Sequence, residues 1–242
     1  MTKLHNVALI FAGGVGRRMK NGKTPKQFLE ISDKPIIIYT LEIFEKNPKI
    51  DGIIVSITPG WVSYLKGLTS KFGITKVFKI VEGGKTSQLS QFYALESMRD
   101  LVDDKTIILI HDGVRPLIDD IVINNNIDCV LKYGSAITIK KAIETVVTVD
   151  GKNQIKEVMD RDLYRMAVAP QSYFYKDIFS NHLKAKQQNR SDFVDSAQLM
   201  QFFGRKLFYI EGTTNNIKIT TPIDYFIFKG ILEAEKVHQI FE

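Results

Sequence analysis

The first half of the chain alternates short, unbroken apolar runs with longer stretches of helical periodicity. Residues 7–12, 52–58, 77–81 and 106–110 form the apolar runs. Continuous Val, Ile and Leu, rather than strict alternation, is the pattern of strands covered on both faces. Between and after them lie helix-like segments: one opened by Pro35, which suits a first helical turn, then 61–72, 87–99 and 119–132. Strands alternating with helices predict an α/β fold, a Rossmann-like, mostly parallel twisted sheet flanked by helices. Such sheets bind ligands outside the carboxyl ends of their strands.

The pattern changes in the middle of the chain. Runs at 144–149 and 154–159 flank Asp150-Gly151, a hairpin signal. They are more polar than core strands, so the segment 139–168 is expected to project from the body as a β-arm. After Pro170 come helix-like stretches at 176–186 and 195–203, a strand at 206–210 and a final helix after Pro222. With no repeat, low-complexity tract or linker, a single domain over 1–242 carrying one arm is the simplest organisation.

Composition narrows the class. The chain has 242 residues, 44% apolar and 25% charged, which suits a soluble globular protein with a substantial core. No apolar run reaches the ~18 residues of a membrane span. A strand-like segment from Leu4 leaves no secretory leader, so a cytoplasmic location is expected. Cys129, the only cysteine, excludes an intrachain disulfide and a cysteine-based zinc site, and its apolar surroundings at 121–133 predict buried packing. The net charge of +6 says little alone, but Arg17, Arg18, Lys20, Lys23 and Lys26 place five cations within ten residues without an acid. Solvated surfaces mix the signs, so this run predicts a bound anion.

Those cations belong to the turn after the first strand, Ala12-Gly13-Gly14-Val15-Gly16-Arg17-Arg18-Met19, and to Pro25-Lys26-Gln27-Phe28 beyond it. The glycines allow backbone N–H groups to approach a phosphate. A dinucleotide loop is excluded because Met19 stands where its third glycine belongs and the second strand ends at Ser56-Ile57-Thr58 without a ribose-binding acid. A Walker loop is excluded because no Gly-Lys-Ser/Thr follows. Glycines with arginines and a lysine point to a triphosphate held without either device.

This combination resembles the family of cytidylyltransferases that activate 2-C-methyl-D-erythritol 4-phosphate or D-ribitol 5-phosphate. Further matching segments follow in order: His111-Asp112-Gly113-Val114-Arg115-Pro116, Glu144-Thr145, Asp160-Arg161, Ala169-Pro170-Gln171-Ser172, Asp195, and Asn216-Ile217-Lys218-Ile219-Thr220-Thr221-Pro222. The resemblance implies a nucleotidyltransferase fold and attack of a polyol phosphate on the α-phosphorus of CTP with Mg²⁺, giving a CDP-polyol and pyrophosphate. A phosphate monoester, with a second pKa near 6, needs no general base for this attack. What it needs is neutralised charge and in-line placement.

The resemblance assigns catalysis to Arg18, Lys26 and Lys218. It assigns nucleotide binding to Ala12, Gly13, Gly14, Gly16, Gly83, Gly84, Lys85, Ser90 and Asp112, with Asp112 also the metal ligand. Acceptor binding falls to Arg115, and to Thr145 and Arg161, which would reach across a homodimer through the arm. His111 reads as structural. Lys218 alternates with Ile217 and Ile219, so it faces away from them in a short strand. Lys85, Ser87 and Val194 depart from the usual family residues, which alters the base and acceptor surroundings and tilts the acceptor towards ribitol 5-phosphate or a similar alditol phosphate. A sugar-1-phosphate nucleotidylyltransferase and a non-catalytic nucleotide-binding protein are the alternatives. Nucleic acid is not an expected partner, since no recognition module accompanies the cations.

Overall fold

A computed structural model of the chain describes residues 3–13 and 24–237, apart from the side chains of 235–237. Gly14, Gly16 and Arg18, like Arg17, Lys20 and Lys23, lie outside the described residues. In chain order the strands are β1 (Leu4–Ala12), β2 (Glu30–Ile31), β3 (Lys34–Pro35), β4 (Gly52–Ile57), β5 (Val77–Glu82), β6 (Val102–Asp112), β7 (Ser135–Lys141), β8 (Val147–Val149), β9 (Ile155–Val158), β10 (Arg165–Phe174) and β11 (Tyr209–Glu211). The helices are α1 (Ile36–Lys46), α2 (Val62–Lys71), α3 (Ser87–Ser97), α4 (Asp120–Tyr133), α5 (Tyr175–Gln187), α6 (Ser196–Phe202) and α7 (Pro222–Val237).

Seven strands form one sheet in the order β11-β7-β10-β6-β1-β4-β5. Only β10 runs against its neighbours β6 and β7; the other pairings are parallel. The unbroken apolar runs of β1, β4 and β6 are covered on both faces as their pattern predicts, whereas β5, at the sheet edge, has no buried residue and leaves Phe78 exposed. Along β1, Val7 and Leu9 pack on one face while Ala8, Ile10 and Ala12 pack on the other. The first face is covered by residues of α3, α5 and α6, the second by α1, α2 and α4. Burying each such aliphatic side chain stabilises the fold by roughly 1.5–3 kcal/mol. A third cluster joins Phe228 of α7 to Ile219, Val114, Ile31 and Ile36. It fixes the segment before α7 against the carboxyl edge of the sheet.

Besides the two-residue β2 and β3, two strands of the main sheet escape the sequence reading. β7 ends in Lys140-Lys141, and β10 contains Pro170, which reads as a strand breaker. The ladder between β10 and β7 skips from Ala167 to Gln171, so the missing N–H of Pro170 falls where no ladder bond is required. The segment 216–221 is also not a strand. It is extended backbone fastened by one ladder-like bond, from the Ile219 N–H to the Val114 carbonyl at 2.9 Å. Its alternation holds nonetheless: Ile219 is buried and the Lys218 side chain is 40% exposed.

The expected arm over 139–168 overlaps the main sheet at both ends, since 139–141 belong to β7 and 165–168 to β10, which leaves 142–164 outside that sheet. β8 and β9 pair with each other and with no strand of the main sheet, around a turn in which Asp150 Oδ1 accepts from the Lys152 N–H at 2.7 Å. All seven of their residues are exposed.

Candidate active site

Topology gathers the predicted residues at one edge. The parallel strands β1, β4, β5 and β6 end there at Ala12, Ile57, Glu82 and Asp112. Antiparallel β10 begins there, and β11, parallel to β7, delivers the segment carrying Lys218 to the same edge.

The centre is Asp112. Its Oδ1 lies 2.6 Å from Lys218 Nζ and its Oδ2 accepts from Arg115 Nε at 2.8 Å. Arg115 also donates through NH1 to the Asn216 carbonyl at 2.9 Å, and Asn216 Nδ2 donates to the Ala169 carbonyl at 2.7 Å. Three segments far apart in sequence, 112–115, 169 and 216–218, thus meet through one network. Burial alone would raise the Asp112 pKa, but the Lys218 and Arg115 charges outweigh it and hold the carboxyl below its usual range. The group is an anion with two cations, leaving the cluster with a net charge of about +1. Beneath it His111 is fully buried, donates from Nε2 to the Arg115 carbonyl at 3.1 Å, and has its pKa lowered to about 4 by burial. A neutral, structural imidazole follows.

The glycine turns converge on Ser90. This hydroxyl accepts from the Gly84 N–H at 3.1 Å and donates to the Thr86 carbonyl at 3.0 Å. A Cβ on Gly13 or on Gly83 would meet Ser90 Oγ at 2.8 Å, so glycine is required at both for steric reasons. Lys85 and Ser87, next to this junction, are exposed.

Gln27 and Phe28 explain how Lys26 is aimed. Buried Gln27 donates from Nε2 to the Ala12 carbonyl at 2.7 Å and to Thr58 Oγ1 at 3.0 Å. Phe28 stacks on Trp61 at 4.8 Å. With its two successors pinned, Lys26 turns back and donates to the Ile219 carbonyl at 3.0 Å, one residue along from Lys218.

A cavity of about 200 Å³ opens beside this cluster, lined by Asp112, Arg115 and Lys218 and by Ser87, Gln91, Gln171, Val194 and Asp195 among others. The predicted acceptor residues divide here. Arg115 lines the cavity, whereas Thr145 and Arg161 sit exposed on the arm. Arg161 forms no ion pair with Asp160 or Asp162 among the described residues; its NH1 donates to the Ile143 carbonyl at 2.9 Å. Gln171 and Gln27 hold the site's walls, roles a sequence does not announce. Their signal was membership of the motifs Pro25-Lys26-Gln27-Phe28 and Ala169-Pro170-Gln171-Ser172, which assigned neither of them a role.

For a divalent cation, no group of three His, Cys, Asp or Glu side chains clusters among the described residues. Asp112, ionised at the strand edge with each oxygen against a cation, is a carboxylate that could contribute here, and Asp195 lines the same cavity; Mg²⁺ is commonly held by one or two carboxylates with substrate phosphates. The residues fit that arrangement.

Glycine turns, a lysine-braced carboxylate at the strand edge and a projecting hairpin define an α/β nucleotidyltransferase. The chain belongs to the family described as IspD, 2-C-methyl-D-erythritol 4-phosphate cytidylyltransferase, whose model matches residues 6–234. It is 48% identical to the ribitol-5-phosphate cytidylyltransferase of Vibrio parahaemolyticus serotype O3:K6 over 98% of this chain and 99% of that protein. It is 34% identical to the 2-C-methyl-D-erythritol 4-phosphate cytidylyltransferase of Clostridium novyi, over 96% of this chain and 98% of that one. The crystal structure of 4-diphosphocytidyl-2C-methyl-D-erythritol synthase from Anaerococcus prevotii superposes with a TM-score of 0.80 at 27% identity, covering 95% of this chain and 96% of that chain.

Proposed function

We propose that this chain transfers CMP from CTP to D-ribitol 5-phosphate, releasing pyrophosphate. An ionised oxygen of the acceptor phosphate forms the new bond to the α-phosphorus of CTP while the bond from that phosphorus to the bridging oxygen of the β-phosphate breaks. The leaving group departs as pyrophosphate. Lys26 and Lys218, one residue apart in their anchoring, carry the negative charge that grows on the phosphorus oxygens, together with Arg18 of the first turn. Arg115 holds Asp112 and the Asn216 carbonyl in place. Asp112 would hold Mg²⁺, which when bound neutralises triphosphate charge.

The observation that carries this reading is the placing of Lys218, Asp112 and Lys26 around the Ser90-centred glycine junction at one sheet edge. The acceptor reading is supported by the 48% identity to the Vibrio protein and by Ser87 and Val194, which depart from the usual family residues and line the cavity. Methylerythritol 4-phosphate is the second reading, favoured by the description of the family model. The chain works as one domain in a cytoplasmic homodimer, the 139–168 arm of each copy bringing Thr145 and Arg161 to the acceptor of the other.

Pyrophosphate release from CTP and Mg²⁺ with ribitol, arabinitol, glycerol and methylerythritol phosphates tests the proposal. Ribitol 5-phosphate is expected to give the highest kcat/KM. Turnover confined to methylerythritol 4-phosphate would transfer the chain to the second reading, and UTP preferred over CTP would remove both.

A further inference from the structure

Asp195 stands apart from the cationic cluster yet lines the same cavity. It caps α6, its Oδ1 accepting from the Gln198 N–H at 2.9 Å, and its Oδ2 accepts from Gln171 Nε2 at 2.8 Å. Gln171 is 6% exposed and is itself locked, because its Oε1 accepts from the Ser196 hydroxyl and from the Ala197 N–H at 2.9 Å. The loop before Asp195 is fixed from the nucleotide side. Buried Gln88, neighbour of Ser87, donates to the Arg190 carbonyl at 2.9 Å and accepts from the Phe193 N–H at 3.2 Å. Asp195 is therefore a carboxylate whose direction is set by the Gln171 side chain and the Gln198 N–H, on a loop that Gln88 holds at Arg190 and Phe193.

Its chemistry is unlike the rest of the cavity. Among the described residues no lysine, arginine or histidine forms an ion pair with it, whereas Asp112 has two cations. A carboxylate offers about four lone-pair positions, and the two N–H donors occupy two of them. The remainder accept hydrogen bonds and cannot donate. A phosphate, which also only accepts when ionised, is repelled there, while an alcohol O–H is bound strongly because the acceptor is charged. Val194 beside it, 81% exposed, offers no polar atom from its side chain.

Resting on the function proposed above, we infer that Asp195 is the specificity residue for the acceptor's chain: it accepts a hydrogen bond from a polyol hydroxyl, while the phosphate end goes to Lys218 and Arg115. The two oppositely charged groups orient a phosphate monoester with a hydroxylated tail. They leave a short acceptor, with too few carbons to span both, without the second contact.

The test compares wild type with D195S, in which a serine hydroxyl keeps the helix cap. D195N, which preserves size and the cap, serves if D195S does not fold. For ribitol 5-phosphate, kcat/KM should fall roughly tenfold to a hundredfold, the range for a lost hydrogen bond to a charged group. For glycerol 3-phosphate it should change by no more than about threefold, the CTP KM staying where it was. If glycerol 3-phosphate is not turned over, its inhibition constant against ribitol 5-phosphate replaces kcat/KM. Equal losses for both acceptors, or an equal rise in the CTP KM, would overturn the assignment. Absence of turnover by the wild type with every polyol phosphate strikes instead at the function on which it rests.

Discussion

The strand-edge site and the arm carry the predicted chemistry in opposite ways. At the edge, Asp112 and Arg115 are nearly buried, and Asp112, Arg115, Lys218 and Lys26 each meet an opposite charge or a carbonyl of their own chain. On the arm, Val149, Ile155, Val158 and Leu163 are all more than half exposed, and Arg161 meets only a local carbonyl. A two-stranded hairpin with no buried residue is marginal on its own in water. The first region pairs its cations and its carboxylate Asp112 within one copy of the chain. The second has an apolar surface of the kind that marks an interface, and in the proposed homodimer its Thr145 and Arg161 would work in the partner's site.

The sharpest way to break this contrast is through the lysines. Lys218→Ala removes one of the two cations on a buried carboxylate, and Lys26→Ala removes the ammonium beside it. Each is expected to lower kcat by roughly 10²–10³, the cost of losing one donor to developing charge. Steady-state pyrophosphate release measures it. Two solvated lysines would leave kcat nearly unchanged.

The arm should respond differently. Arg161→Ala is expected to reduce kcat/KM for the acceptor by roughly 10- to 100-fold, the value of a lost contact to a charged group. Its damage should be repairable in a way that Lys218→Ala is not alone. Mixing and refolding the two variants in equal amounts would give heterodimers with one intact composite site, and about a quarter of wild-type activity from two nearly inactive proteins. No recovery in a mixture shown by native mass spectrometry to hold heterodimers would mean that the arm serves its own site.

Sequence made these regions legible to different depths. The apolar runs marked the central parallel strands because two-sided burial demands them, and Asp150-Gly151 marked the hairpin because its glycine takes positive φ, although the connection runs over five residues, 150–154, with Asn153 also at positive φ. Asp112 and Lys218 stood out by residue type and position. Their contact did not, since it depends on β7, β10 and β11 carrying the chain back to β6, and Pro170 concealed the middle one of these. Gln27, Gln88 and Gln171 were hidden for another reason. An amide's role is decided by which donors and acceptors the fold places around it, and nothing local in the sequence encodes that.

Acid distinguishes the regions again, because the buried histidines belong to the body. Burial lowers the pKa of His111 to about 4 and that of His182 to about 3, against 6.5 in an unfolded chain. Below pH 6.5 the unfolded chain takes up protons that the folded chain refuses. Stability is therefore full above pH 6.5 and falls as the pH drops towards each folded value. At pH 5 each histidine should cost about 2 kcal/mol. Denaturant midpoints recorded from pH 8 to 5 would measure this, and His182→Phe should remove about half of the fall. A stability flat from pH 7 to 5 would show that the imidazoles are reached by water.

The smallest effect gives the finest comparison. Gly134 closes α4 with φ of +86°, its N–H donating to the Val130 carbonyl at 2.8 Å, and Gly151 turns the arm's hairpin with φ of +78°. At both, an added Cβ meets nothing within 4 Å. Alanine therefore introduces the same left-handed strain and no clash, about 1 kcal/mol in each place. The readout should differ. Strain at Gly134 opposes a helix packed on the sheet, so Gly134→Ala should lower the Tm by about 2–4 °C in a chain of this size. Strain at Gly151 opposes only the hairpin, which opens without the core. Gly151→Ala should leave the Tm in place and speed exchange of the Met159 amide, bonded to the Val146 carbonyl at 2.8 Å, about fivefold. Equal Tm losses would mean that the hairpin unfolds together with the sheet, and the arm would then be part of the body rather than a surface held out from it.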